Sequence, residues 1–175
     1  NAAFTYPADF ILIAAMNPCP CGYLGDPQRE CTCTDGEIRR YGQKISGPLL
    51  DRIDLHVSVM RPKYSELTAT IQGEPSRDIA KRVAEARAVQ AERLSRWHMQ
   101  SNAQMGHRQL KETCQLDAEG TEMLRVVFEK LHLSARSYDR IIKVARTIAD
   151  LAGSDQIRPE HVAEAISFRN MINGK

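Results

Sequence analysis

Four of the five cysteines in this chain stand in two Cys-x-Cys pairs, Cys19-Pro20-Cys21 and Cys31-Thr32-Cys33. The nine residues between the pairs include Gly22, Gly25, Asp26 and Pro27, a turn-rich composition that lets the chain double back. Two thiolates one residue apart can converge on one tetrahedral ion, and a flexible loop can bring the second pair round to close a four-sulfur site. In a reducing compartment this grouping favours zinc over four free thiols or a labile disulfide pair. A closed site has no open coordination position for water, so the expected role of Cys19, Cys21, Cys31 and Cys33 is to staple the loop, not to hydrolyse a substrate. Cys114 stands alone in a polar stretch and is expected to pack as a small apolar residue. The five histidines are scattered, with no pair at ligand spacing, and are assigned no catalysis.

The elements around the loop are legible from pattern. Phe10-Ile11-Leu12-Ile13-Ala14-Ala15-Met16 is a continuous apolar run ended by Asn17-Pro18, as expected of a strand buried on both faces of a parallel sheet. Asn17 then stands just past the strand's carboxyl end, where such sheets bind ligands. Ala2 to Tyr6 reads as a further strand stopped by Pro7. Thr34-Asp35-Gly36-Glu37 is a capping box and predicts a helix running towards Gly42. Ser46-Gly47-Pro48 opens a short helix carrying Leu49-Leu50-Asp51-Arg52, and the alternation in Ile53–Val59 predicts a half-exposed strand.

Downstream, Arg61 to Glu74 is a polar connection. Ser76 is expected to cap a long helix with Ile79, Val83, Ala86, Gln90, Leu94 and Trp97 on one side. Beside that stripe lie Arg82, Arg93 and Arg96, read either as a solvated face or as a strip contacting nucleic-acid phosphate. Ser101 to Gln115 reads as a loop or weak helix. The remainder is helical: Asp117 caps one helix, Ser134 a second that Gly153 ends, and Pro159 opens a third that frays past Asn173.

Composition bounds the class. The 175 residues carry 24 Lys and Arg against 22 Asp and Glu, so no whole-domain charge points to nucleic acid or membrane, and any such contact must be local. No apolar run is long enough to cross a bilayer and no leader pattern is present, which predicts a cytoplasmic protein with no membrane partner. Asn1 in place of Met, followed at once by strand-like residues, is the pattern of a fragment.

Three segments together resemble a known family. They are Ala14-Ala15-Met16-Asn17-Pro18-Cys19-Pro20-Cys21-Gly22, then Ser46-Gly47-Pro48-Leu49-Leu50-Asp51-Arg52-Ile53-Asp54-Leu55-His56, and finally Leu133-Ser134-Ala135-Arg136-Ser137-Tyr138 with Ala145-Arg146-Thr147-Ile148-Ala149-Asp150-Leu151. They resemble the magnesium-chelatase-like AAA+ ATPases of the ComM type, over almost the whole chain. The resemblance implies an α/β fragment that is predominantly α: residues 1–60 the C-terminal part of an AAA+ P-loop core with a zinc-stapled loop, 61–115 a connecting segment with a long helix, and 116–175 an all-α lid. The P-loop that the family carries upstream is absent, since no Gly-x4-Gly-Lys-Ser/Thr occurs here.

By the same resemblance Asn17 matches sensor 1, which orients the attacking water; without it, a turn-forming Asn before Pro is the ordinary reading. Arg52 matches the arginine finger that reaches a neighbouring subunit's nucleotide; without it, the expectation is a salt bridge to Asp51 or Asp54. Arg136 matches sensor 2, acting in its own or a neighbouring subunit; without it, Arg136 is a solvated first-turn residue, mildly unfavourable against the helix dipole. The family implies ATP and Mg2+ for the full-length protein, structural Zn2+, a ring of identical subunits, a hexamer, and DNA as a partner. The implied activity is an ATPase driving helicase-like branch migration of recombination intermediates in natural transformation, with no ATPase in the fragment alone. The alternatives are a magnesium-chelatase motor subunit that inserts Mg2+ into a porphyrin, and a zinc-stapled interaction module without enzymology.

Overall fold

The computed structural model describes residues 4, 10–62, 64, 68, 73–131 and 133–169, and these divide into two compact units, Asn1–Ser46 and Gly47–Lys175. In the first unit, helix α1 (Asp35–Gly42) begins where the capping box predicts: the Glu37 amide donates to Thr34 Oγ1 at 3.4 Å and the Thr34 amide donates to Glu37 Oε2 at 2.8 Å. Those hydrogen bonds also hold the Glu37 carboxyl below its ordinary range, the Thr34 amide contributing most.

The run Phe10–Met16 does not form the expected strand. It has no regular structure, and Phe10 and Ile13 are 76% and 90% exposed. A parallel strand is stable only with hydrogen-bonded neighbours and covered faces. Among the described residues the only ladder contact is an isolated parallel bridge between Leu116 and Ile157, so that environment is missing and the α/β expectation reduces to an α-helical chain. The strand read at Ala2 to Tyr6, and the end of the chain past Asn173, lie outside the described residues.

The second unit is built on helices α2 (Gly47–Leu50), α3 (Ser76–Leu94), α4 (His107–Thr113), α5 (Ala118–Lys130), α6 (Ala135–Leu151) and α7 (Pro159–Ser167). The caps of α5 and α6 are those read from sequence: Asp117 accepts from the Gly120 amide at 2.7 Å, and Ser134 accepts from the Ser137 amide at 3.1 Å. Helix α6 ends in a Schellman arrangement, with Gly153 at φ +65° and the Ser154 amide donating to Ala149 O at 2.8 Å. At α3 the cap differs from expectation, because Pro75 precedes the first turn and Ser76 is the first helical residue.

Helix α6 is the centre of this unit. It packs against α3, α4 and α7, and its buried stripe includes Ile141, Ile142, Ala145 and Ala149. Leu94, Met105, Leu110 and Cys114 join Leu124, Val162 and Ile166 around it, so the long helix and the three C-terminal helices share one core. Only the C-terminal half of α3 takes part. Ala86, Gln90 and Leu94 are buried, whereas Ile79 and Val83 are 40% and 46% exposed and the expected docking stripe is half used.

Residues 53–59 also form no strand. Ile53 and His56 are half-buried while Leu55, Val57 and Val59 are exposed, a spacing that a period-two strand cannot produce. Their segment is tied instead to the end of α7 and the residues after it, the His56 amide donating to Phe168 O at 2.9 Å.

Candidate metal centre and exposed arginines

The four clustered cysteines meet. The sulfurs of Cys19, Cys21, Cys31 and Cys33 all lie within 4.8 Å of one another, and none is in a disulfide. Cys19 Sγ is 3.4 Å from Cys21 Sγ and 3.7 Å from Cys31 Sγ, and Cys21 Sγ is 3.6 Å from Cys31 Sγ. Zinc–sulfur bonds of about 2.3 Å at tetrahedral angles place sulfurs about 3.8 Å apart, so the set has the size of a tetrahedral thiolate site and could hold a metal ion.

The chain reaches this geometry through tight local turns. Gly22 sits at φ +82° and donates its amide to Cys19 O at 3.0 Å, which folds the first pair into a knuckle. The second pair runs directly into the capping box of α1. Backbone amides support the sulfurs, the Cys21 amide donating to Cys33 Sγ at 3.4 Å.

Electrostatics fit the same role. A backbone hydrogen bond from Tyr23, assisted by Thr32, brings the Cys21 thiol down to about 5. The Cys21 amide favours the thiolate of Cys33, but burial and the neighbouring thiols outweigh it and push Cys33 up to about 12. Four sulfurs this close cannot all ionise without a compensating cation.

Asn17, in the first unit, is exposed and sits beside the loop; its side chain is 3.9 Å from where a Cβ on Gly22 would stand. Arg52 and Arg136 belong to the second unit. Arg52 is exposed and donates to Pro48 O at 2.6 Å, and it forms no ion pair among the described residues. Its acidic neighbours are engaged elsewhere. The Asp51 carboxylate accepts from Ser134 Oγ at 3.3 Å and Ser137 Oγ at 3.4 Å, and Asp54 is ion-paired with Arg140. Arg136 occupies the first turn of α6, exposed and without an ion pair among the described residues, in a turn with no acid of its own. A cation held at the positive end of a helix is unfavourable, so stability does not account for it.

The three arginines read along the long helix are occupied, Arg96 falling in the 3-10 turn Ser95–Trp97 just past its end. Arg82 makes two hydrogen bonds to the Glu74 carboxylate, at 2.5 and 3.0 Å. Arg96 bonds Glu112 at 2.8 Å and lies 3.8 Å over the Trp97 ring. Arg93 is drawn into the core, where it grips both oxygens of Asp150 at 2.7 Å and also donates to Asn102 at 2.9 Å. Arg93 is thus turned inward, while Arg82 and Arg96 stay exposed and paired to acids, as on a solvated face.

The network around Asp150 is the feature that sequence reasoning missed. Arg146 is buried, donates to Asp150 at 3.0 Å and to Asp155 O at 2.8 Å, and also bonds Ser154 O. Asn102 adds a hydrogen bond to Asp150 at 2.8 Å. The four-residue spacing of Arg146 and Asp150 was a visible signal, but nothing in the sequence locates Arg93 opposite them.

Residues 73–169 match the family described as magnesium chelatase, subunit ChlI C-terminal, and residues 1–67 match magnesium chelatase, subunit ChlI. The chain is 39% identical over 174 residues to competence protein ComM of Haemophilus influenzae, covering 98% of this chain and 33% of that protein. It is 40% identical over 171 residues to the uncharacterised protein YifB of Escherichia coli, covering 97% of this chain and 32% of the relative. An uncharacterised Mycobacterium tuberculosis protein is 39% identical over 164 residues, 94% of this chain and 32% of its own length. The chain thus spans about a third of the length of the curated relatives it matches. No helix among the described residues is long and apolar enough to cross a membrane.

Proposed function

The chain belongs to the magnesium-chelatase-like family of the ComM type, and from that premise we propose that it is the sensor-and-lid part of an AAA+ ATPase that assembles into a ring and couples ATP hydrolysis to remodelling of DNA. The nucleotide and its Mg2+ are held by a P-loop that this chain lacks, so the chain alone turns over no ATP. Its contribution is positive charge. Arg52 acts as an arginine finger on the nucleotide of a neighbouring subunit, Arg136 contacts phosphate from the lid, and Asn17 orients the attacking water. Cys19, Cys21, Cys31 and Cys33 hold a structural zinc that staples the loop after Asn17. The similarity to a protein named for competence supports a role in natural transformation, where the substrate is a branched recombination intermediate.

The observation that carries this reading is the state of Arg52. It is exposed, has no acidic partner among the described residues, and is flanked by two aspartates that pair with other groups. A structural arginine beside Asp51 and Asp54 would pair with one of them.

The test uses the full-length ring. Arg52→Ala should lower ATP turnover on the order of 10³-fold while nucleotide binding persists. Mixing that variant with subunits that keep Arg52 but carry a dead P-loop should restore part of the activity, because one interface then holds both working halves. Normal turnover by Arg52→Ala, or mixed rings that stay inactive, would sink the trans-acting role.

A further inference from the structure

The short segment that carries Arg52 has little packing of its own. From Gly47 to His56 no residue is buried. Its position is set by polar ties to two places in the lid. At the first, the Asp51 carboxylate spans the N-terminus of α6, accepting from Ser134 Oγ at 3.3 Å and Ser137 Oγ at 3.4 Å. At the second, just past α7, Arg169 donates to Ile53 O at 2.7 Å and Asp51 O at 3.3 Å and the His56 amide donates to Phe168 O at 2.9 Å; Asp54 also pairs with Arg140 of α6.

Asp51 is the member of this set nearest the functional arginine. It immediately precedes Arg52, and the serines it binds flank Arg136 on either side along α6. Its charge also meets a need of the helix. The first turn of α6 contains Arg136 and no acid, so its positive end is complemented by a carboxylate from 83 residues upstream.

We propose that Asp51 is a positioning residue that clamps the Arg52 segment onto the N-terminus of the lid helix, so that Arg52 is aimed from the same rigid base that carries Arg136. The proposal rests on the trans-acting role of Arg52 given above. The two sides of the clamp are unequal. Helix α6 has its own cap at Ser134 and a stripe of buried residues through Ile141, Ala145 and Ala149, whereas residues 47–56 have no core. Releasing the clamp therefore loosens the finger segment at the residue beside Arg52, while its ties to Phe168, Arg169 and Arg140 remain, and leaves the helix in place. A misplacement of the order of 1 Å at such a group is enough to cost up to about 10²-fold in rate.

Mixed full-length rings test this by placing Asp51→Ala on one side of the working interface at a time. The control is the pair described above, in which subunits with Arg52→Ala hold the nucleotide and subunits with a dead P-loop supply the finger. With Asp51→Ala on the finger-supplying subunit, turnover should fall at least about tenfold below the control at unchanged KM for ATP. With Asp51→Ala on the nucleotide-holding subunit, whose finger is already removed, turnover should stay at the control level. Asp51→Asn, which keeps one acceptor oxygen, should fall between the control and Asp51→Ala on the finger-supplying side.

An equal loss from both placements assigns Asp51 to general stability and overturns the positioning role, as does full activity from both. A control mixture that does not recover removes the trans role of Arg52, and the aiming of Arg52 falls with it. Recovery in the control with equal effects from both placements refutes only the clamp.

Discussion

Asp150 is the residue on which the core of the second unit should depend most. Its side chain is fully buried, and it is held between two guanidinium groups, Arg93 with 20% of its side chain exposed and Arg146 with 2%. Four hydrogen bonds reach it, two from Arg93, one from Arg146 and one from Asn102. Replacing Asp150 by Ala leaves both arginines without their counter-ion in a region that water enters poorly. Removing one partner of a buried pair in this way costs about 3–5 kcal/mol.

Arg93→Met should cost distinctly less, because Asp150 then keeps Arg146 and Asn102, and Arg93 is the more exposed partner. Arg146→Met should lie between the two, since it also strands the carbonyls of Ser154 and Asp155 just past the end of α6. Urea unfolding followed by circular dichroism measures all three at constant m-value. An Asp150→Ala variant within about 1 kcal/mol of the parent, or one more stable than Arg93→Met, would refute the reasoning. Either result would mean that the network is relaxed by water and does not hold α3 to α6.

Three further outcomes follow from the geometry. Purified protein should contain about one zinc per chain, and chelation should expose four reactive thiols at once, while Cys114, whose thiol burial pushes up, reacts only on unfolding; a folded zinc-free preparation with all four thiols free contradicts the site. Ser134→Ala should lower stability by roughly 1 kcal/mol through the lost cap, while Arg136→Ala leaves it unchanged or slightly raised; thermal melts decide, and an equal drop for both would assign Arg136 a structural role. Burial first, and then the charge of Arg169, lower His56 below its ordinary value of 6.5. The unfolded chain therefore takes up this proton before the folded one does, so the contribution of His56 is complete above 6.5 and is lost as pH falls below it. His56→Gln should flatten that part of a melting-temperature profile, and an unchanged slope would exclude the residue.

The pattern of residues alone determined the parts of this protein whose physics is local. The capping boxes and caps at Thr34, Asp117 and Ser134, the stop at Gly153 and the apolar stripe of α6 depend on neighbours within a turn or two, and each stands where the sequence predicts it. The cysteine cluster was legible for the same reason, since two close pairs joined by a turn-rich loop have few ways to fold other than together.

Tertiary structure decided what depends on residues far apart in the chain. The run at Phe10 has strand composition, but a parallel strand exists only with neighbours to bond, and among the described residues it has none. Arg93 shares a helical face with Arg82 and Arg96 by spacing, yet Asp150, 57 residues away, takes it inward because a buried carboxylate between helices must be neutralised. Asp51 and Asp54 are near Arg52 in sequence, but the partners of their side chains lie more than 80 residues away, which leaves the arginine without an ion pair among the described residues. Sequence adjacency sets which partners are near; the lowest-energy pairing is chosen only when the helices pack and burial makes an unmatched charge costly.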